Sequence, residues 1–172
     1  VLDICAGTGG FLISAMQTML KQTTTEEERT HIKKYQLIGI ENNPKMFALA
    51  ASNMILRGDG KANLHQSSCF MTDLQDLIKN PKPETGLKRP NVGFLNPPYA
   101  QSKSDAELHE LYFVKEMLDM LAEGGTGVAI IPVSCVIAPS KAKSEIVKYH
   151  RLKAVMSMPS ELFYPVGTVT CI

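Results

Sequence analysis

The run Cys5-Ala6-Gly7-Thr8-Gly9-Gly10 lies between an apolar segment, Val1-Leu2-Asp3-Ile4, and a stretch in which Phe11, Leu12, Ala15, Met16, Met19 and Leu20 recur at three- and four-residue spacing. A strand, a tight glycine turn and an amphipathic helix in immediate succession admit few architectures. They predict an α/β unit in which the turn's backbone can approach a bound molecule, and the first helical amides can face a carboxylate or phosphate. A glycine turn also serves as plain punctuation between packed elements, so by itself this one leaves both roles open.

The rest of the chain continues the alternation. Strands are predicted at Lys34–Glu41, Ala62–Gln66, Val92–Leu95, Thr126–Pro132 and Leu152–Met158, with another beginning at Val169. Helices are predicted at Met46–Arg57, Glu107–Leu121 and Lys141–Tyr149. This order implies a mostly parallel sheet covered by helices on both faces, with ligands at the carboxyl ends of its strands. Gly7, Glu41 and Asn96 all fall at such ends. Thr23–Lys34, Lys79–Asn91 and Ala100–Asp105 read as loops, with Glu26-Glu27-Glu28-Arg29 as a solvated helix end. At 172 residues and 44% hydrophobic content, residues 1–172 form one domain with one sizeable core.

Asn96-Pro97-Pro98-Tyr99, directly after the strand Val92–Leu95, carries the most specific chemistry. An exocyclic amine on an aromatic ring is a poor nucleophile because its lone pair is delocalised. The side-chain oxygen of Asn96 and the main-chain oxygen of Pro97 can each accept one amine hydrogen, which leaves the nitrogen pyramidal and its lone pair free to attack. Pro97 and Pro98 stiffen the backbone. Tyr99 offers a face for stacking a base drawn out of its helix.

Glu41 ends the second strand, where a carboxylate can accept from two ribose hydroxyls at once or simply remain solvated. Cys5, Cys69, Cys135 and Cys171 show no paired spacing, so no metal is expected, and reduced cysteines beside apolar runs suit a reducing cytosol. No run reaches membrane-spanning length. A net charge of +1 is modest for gripping a duplex unaided. Lys82, Lys88 and Arg89, and the stretch containing Lys141, Lys143, Lys148, Arg151 and Lys153, suit either phosphate contact or a solvated surface.

Taken together, these motifs resemble the adenine-specific (N6) DNA methyltransferases, most closely the modification (methylase) subunit of type I restriction-modification systems. Gly7-Thr8-Gly9-Gly10-Phe11-Leu12 and Asn96-Pro97-Pro98-Tyr99 match that family's loops, and Gly39-Ile40-Glu41-Asn42 with Asn53 resembles its ribose-binding segment. The likeness continues through Gly124-Gly125, Val128–Pro132, Met158-Pro159 and Leu162-Phe163. It implies a Rossmann-like, S-adenosylmethionine-dependent fold, truncated at both ends relative to the family. It also implies a cofactor site formed by Asp3, Ala6, Gly7, Thr8, Gly9, Gly10, Phe11, Leu12, Glu41, Asn42, Ser68, Cys69, Phe70 and Asn96, with catalysis by Asn96, Pro97, Pro98 and Tyr99. The implied substrate is double-stranded DNA with a flipped adenine. Separate specificity and restriction subunits in a bacterial or archaeal cytoplasm are the implied setting.

One position departs from the family. Ser68 stands where an acid usually accepts from the cofactor's adenine amine, and a neutral acceptor is weaker. Asp73 is a substitute acceptor, and Phe70 either packs on the cofactor ring or belongs to the core. In the third loop Gln101, Ser102 and Lys103 are candidate base contacts. The target tetrapeptide also occurs in enzymes that methylate protein glutamine or RNA guanine. A non-catalytic cofactor-binding scaffold is a further reading.

Overall fold

The computed structural model describes residues 1–58, 63–99, 109–163 and 169–172. The strands are β1 (Leu2–Asp3), β2 (Ile38–Glu41), β3 (Leu64–Gln66), β4 (Val92–Leu95), β5 (Thr126–Pro132), β6 (Met156–Ser157) and β7 (Val169–Cys171). The helices are α1 (Gly10–Leu20), α2 (Glu26–Tyr35), α3 (Pro44–Leu56), α4 (Thr72–Lys79), α5 (Glu110–Met120), α6 (Val133–Ile137) and α7 (Lys141–Tyr149). One sheet runs in the order β3-β2-β1-β4-β5-β7-β6. Its first five members pair in parallel, and β7 pairs antiparallel to both β5 and β6. The chain proceeds from β1 to one side through β2 and β3, then returns to place β4 on the other. The reversal opens a crevice between the ends of β1 and β4, which is where such sheets bind ligands.

Apolar residues decide how the helices seat. Leu12, Ile13 and Met16 of α1 pack with Ile32 of α2, Ala50 and Met54 of α3, and Leu64. Phe113, Val114 and Met117 of α5 pack with Leu95, Ala129 and Ile131, and Ile78 of α4 and Ala142 of α7 join them. Gly93 and Gly127 lie opposite each other in the β4–β5 register. A Cβ at Gly93 would fall 2.8 Å from the Met117 sulfur, and one at Gly127 would fall 2.6 Å from its methyl carbon. α5 therefore rides directly on the two strands, which fixes the strand end from which the target loop departs.

Four details differ from the sequence expectations. Thr23–Lys34 is not a loop, because α2 occupies most of it and delays the second strand to Ile38. α2 starts at a capping box in which the Thr25 hydroxyl accepts from the Glu28 amide at 3.2 Å and the Glu28 carboxylate accepts from the Thr25 amide at 3.1 Å. α4 and α6 were not expected. The strand predicted at Leu152–Met158 pairs only at Met156 and Ser157, and Leu152 and Val155 are 60% and 48% exposed. Among the described residues, no helix is long and apolar enough to cross a membrane.

Candidate functional site

The glycine loop is held from two sides. Gly7 and Gly9 take φ of +55° and +81°, left-handed values that side chains strain to adopt. The amide of Ala6 donates to the Ile40 carbonyl at 2.9 Å, tying the loop to β2. From α3, Asn53 Nδ2 donates to the Thr8 carbonyl at 3.0 Å, and a Cβ at Gly9 would touch Ala50 at 3.6 Å. Gly10 opens α1, Phe11 is half-buried and Leu12 is buried.

Glu41 joins these supports. Its Oε2 accepts from the Gly7 amide at 2.8 Å, and its Oε1 accepts from the Asn43 amide at 2.7 Å. Asn43 in turn caps α3 by accepting from the amides of Lys45 and Met46. Each carboxylate oxygen keeps lone-pair capacity for a further donor. Asn42 is exposed beside it. Asp3, at the end of β1, is 1% exposed and accepts from the Cys5 amide at 3.1 Å. Burial, with a smaller push from Glu41, raises its carboxyl to about 7.

At the end of β3, the Ser67 amide donates to the Glu41 carbonyl at 3.1 Å. Ser68 Oγ accepts from the Phe70 amide at 3.3 Å, so its hydroxyl organises the local turn. Gln75 of α4, almost fully buried, donates to the Cys69 carbonyl at 2.8 Å and to Glu116 of α5 at 2.7 Å, and this holds the turn from beneath. Phe70 meets Phe113 edge-on, ring centroids 4.8 Å apart, and packs against the core. Asp73 is exposed in the first turn of α4. Hydrogen bonding to Cys69 and burial hold the Cys5 thiol far above its ordinary range, and all four cysteines are free.

The target loop leaves β4 with Asn96 exposed, Pro97 buried and Pro98 exposed. The Tyr99 hydroxyl is buried with no hydrogen-bond partner among the described residues. Burial, then the neighbouring Glu110 and Cys135, push that phenol up. The Cys135 thiol donates to Glu110 at 3.4 Å, and burial followed by Glu110 raises it to about 12. His109 Nδ1 accepts from the Leu111 amide at 3.3 Å and lies 4.0 Å from Glu110. Donor atoms of His109, Glu110 and Cys135 thus lie within 4.8 Å of one another, but they already bond to each other and to the start of α5. Sequence spacing gave no sign of this trio, because Cys135 reaches it from a different helix. Gln101, Ser102 and Lys103 lie outside the described residues.

Several basic residues serve the fold. Arg89 donates to the carbonyls of Met120 at 3.2 Å and Asp119 at 2.8 Å, at the end of α5. Lys143 donates to the Val136 and Ala138 carbonyls, and Lys153 donates to Thr126 Oγ1 at 3.0 Å. Lys148 lies over the Tyr149 ring. An apolar cavity of ≈ 510 Å³ between β5, α5 and α7 is lined by Leu118, Val128, Ile146 and Leu152, with Cys135 at its border.

A family model described as N-6 DNA methylase matches residues 1–172. The chain is 42% identical over 178 residues to the type II restriction enzyme and methyltransferase RM.BcgI of Heyndrickxia coagulans, covering 100% of this chain and 27% of that protein. It is 24% identical over 179 residues to the type I restriction enzyme EcoEI methylase subunit of Escherichia coli, covering 96% of this chain and 35% of that one. The crystal structure of the type I restriction enzyme EcoKI M protein superposes with a TM-score of 0.72 at 20% identity, covering 99% of this chain and 38% of that one. The chain therefore spans about a third or less of the two curated relatives' lengths.

Proposed function

Because this chain belongs to the N-6 DNA methylase family, we propose that it transfers a methyl group from S-adenosylmethionine to the exocyclic N6 amine of a flipped adenine in DNA. The observation that carries this reading is the joining of the glycine loop to Glu41 through the 2.8 Å Gly7–Glu41 bond, at strand ends beside the one that releases Asn96.

The residues present fit the cofactor. Glu41, already oriented by two backbone amides, retains acceptor capacity for both ribose hydroxyls. The left-handed glycines let the backbone come close, and Asp3 lies beneath the loop. The turn that carries Ser68, tied to Glu41 through the Ser67 amide, is the side of the site we assign to the cofactor's adenine. When bound, S-adenosylmethionine supplies an electrophilic methyl on a cationic sulfur.

The chain's own part is to orient and activate the amine. Asn96 is exposed at the mouth of the crevice, where its Oδ1 accepts one amine hydrogen while the carbonyl of the buried Pro97 accepts the other. The nitrogen lone pair is thereby withdrawn from the ring and aimed at the donor, so no prior deprotonation is needed. Tyr99 holds the extruded base by stacking.

The names of the relatives, a restriction enzyme and methyltransferase and a methylase subunit of a restriction enzyme, support a restriction-modification role, and separate specificity and restriction subunits are the partners we propose. Such partners supply the grip that a net charge of +1, with Arg89, Lys143 and Lys153 engaged in the fold, leaves wanting. The direct test is transfer of labelled methyl to adenine-containing duplex by the full-length protein, with and without its specificity subunit. Label on RNA or protein glutamine instead of adenine would refute the substrate assignment.

A further inference from the structure

We infer that Phe11 and Phe94 form a positioning pair that sets the separation between the glycine loop and the target loop. Phe11 follows Gly10 in the first turn of α1, and Phe94 lies on β4 two residues before Asn96, opposite Asp3 in the β1–β4 register. Their rings stack with centroids 5.4 Å apart and planes inclined by 27°.

The neighbours of Phe11 show why this contact stands out. Leu12, Ile13 and Met16 bind α1 to the side of the sheet that carries α3 and β3. Phe11 instead reaches across the reversal point to β4. Both rings are half-buried, so they sit at the edge of the core beside the crevice. Among the described residues, no hydrogen bond joins residues 5–10 to residues 96–99, while the glycine loop is bonded to β2 and α3. The stack is thus a side-chain link between the half of the fold that holds the cofactor loop and the half that presents Asn96.

The function of such a link, which rests on the methyl-transfer reading above, is geometric. Transfer requires donor and acceptor atoms in a near-attack arrangement, and a misplacement of about 1 Å costs on the order of 100-fold in rate. Two flat rings in offset contact resist sliding and tilting in a way that a pair of flexible aliphatic chains does not. Neither ring needs to touch the reacting atoms, so both are positioning residues.

The test uses the full-length protein carrying Phe11→Leu, Phe94→Leu, both together, or Phe94→Tyr. Amide hydrogen exchange, cofactor affinity by calorimetry and single-turnover methylation are measured on each. Phe11→Leu is expected to speed exchange at the amides of Asn96 and Tyr99, across the reversal point. Either leucine variant should slow single turnover by about tenfold while cofactor affinity changes by less than about threefold. The double variant should be no slower than the slower single one, and Phe94→Tyr, which keeps the ring, should restore the rate lost in Phe94→Leu. Ile32→Val, on the buried face of α2, serves as the control for lost stability and should leave the rate unchanged.

Exchange changes confined to the substituted element would overturn the pair, and so would multiplicative losses in the double variant or an equal rate loss in the Ile32→Val control. If the wild type fails to methylate adenine, the proposed function falls, but the exchange measurement still decides whether the two loops are coupled.

Discussion

Glu41 Oε2 accepts the Gly7 amide at 2.8 Å across a sequence separation of 34 residues, while Oε1 of the same carboxylate accepts the Asn43 amide at 2.7 Å. One side chain therefore sets the glycine loop and the start of α3 relative to each other. Preorganisation of this kind lowers the ordering cost of binding.

Glu41→Ala should weaken S-adenosylmethionine binding by about 1–3 kcal/mol, because charge-assisted bonds are lost and the loop is released. Glu41→Gln should weaken it less, since one oxygen remains to accept from Gly7. Calorimetry on the three proteins checks the order, and equal affinities would remove Glu41 from the site.

Asp3 gives a pH dependence of defined sign. Its carboxyl is raised to about 7 in the folded protein from an ordinary value of 3.8, chiefly by burial. The folded state thus holds the proton more tightly than the unfolded chain. Its contribution to stability is complete below pH 4 and is lost as pH rises toward and through 7, a change on the order of 4 kcal/mol. Asp3→Asn keeps an oxygen for the Cys5 amide and removes the titration. Denaturant melts should show the variant gaining on wild type between pH 5 and pH 8, and a constant difference would contradict the burial argument.

Ser68→Asp should tighten cofactor binding. An aspartate there can accept from the Phe70 amide as the serine does and still offer a charged oxygen to an adenine amine. Unchanged or weaker affinity with an intact circular dichroism spectrum would show that this position does not face the amine.

Arg89 separates two roles that its charge alone leaves equivalent. Its guanidinium satisfies carbonyls at the end of α5, so Arg89→Ala should cost about 1 kcal/mol of stability. The slope of DNA affinity against salt should stay the same. A shallower slope would mean that Arg89 contacts phosphate.

The convergence of Gly7, Glu41 and Asn96 could be read from the sequence because each ends an apolar run in an alternating α/β pattern, and parallel topology sends all such ends to one edge. α2 escaped that reading because only Ile32 is buried in it, so it has no apolar stripe. The signals it does carry are the Thr25–Glu28 capping box and the lysines Lys33 and Lys34 in its last turn. Leu152 and Val155 look like strand interior by composition, yet they are exposed, because period and propensity do not report which residues find a pairing partner. The second hydrogen-bond role of Glu41, the use of the Ser68 hydroxyl within its own turn and the Phe11–Phe94 stack depend on which strands are neighbours. Local pattern carries no such information.

The central claim is that Asn96 activates the amine. Single-turnover methylation of adenine-containing duplex by the assembled full-length enzyme tests it most directly. Asn96→Ala should slow transfer by about 100- to 1000-fold or more with cofactor affinity nearly unchanged. Tyr99→Ala should lose base capture worth about 1–3 kcal/mol, and Tyr99→Phe should lose far less because the stacking face survives. A near-normal rate for Asn96→Ala on that duplex would contradict the account.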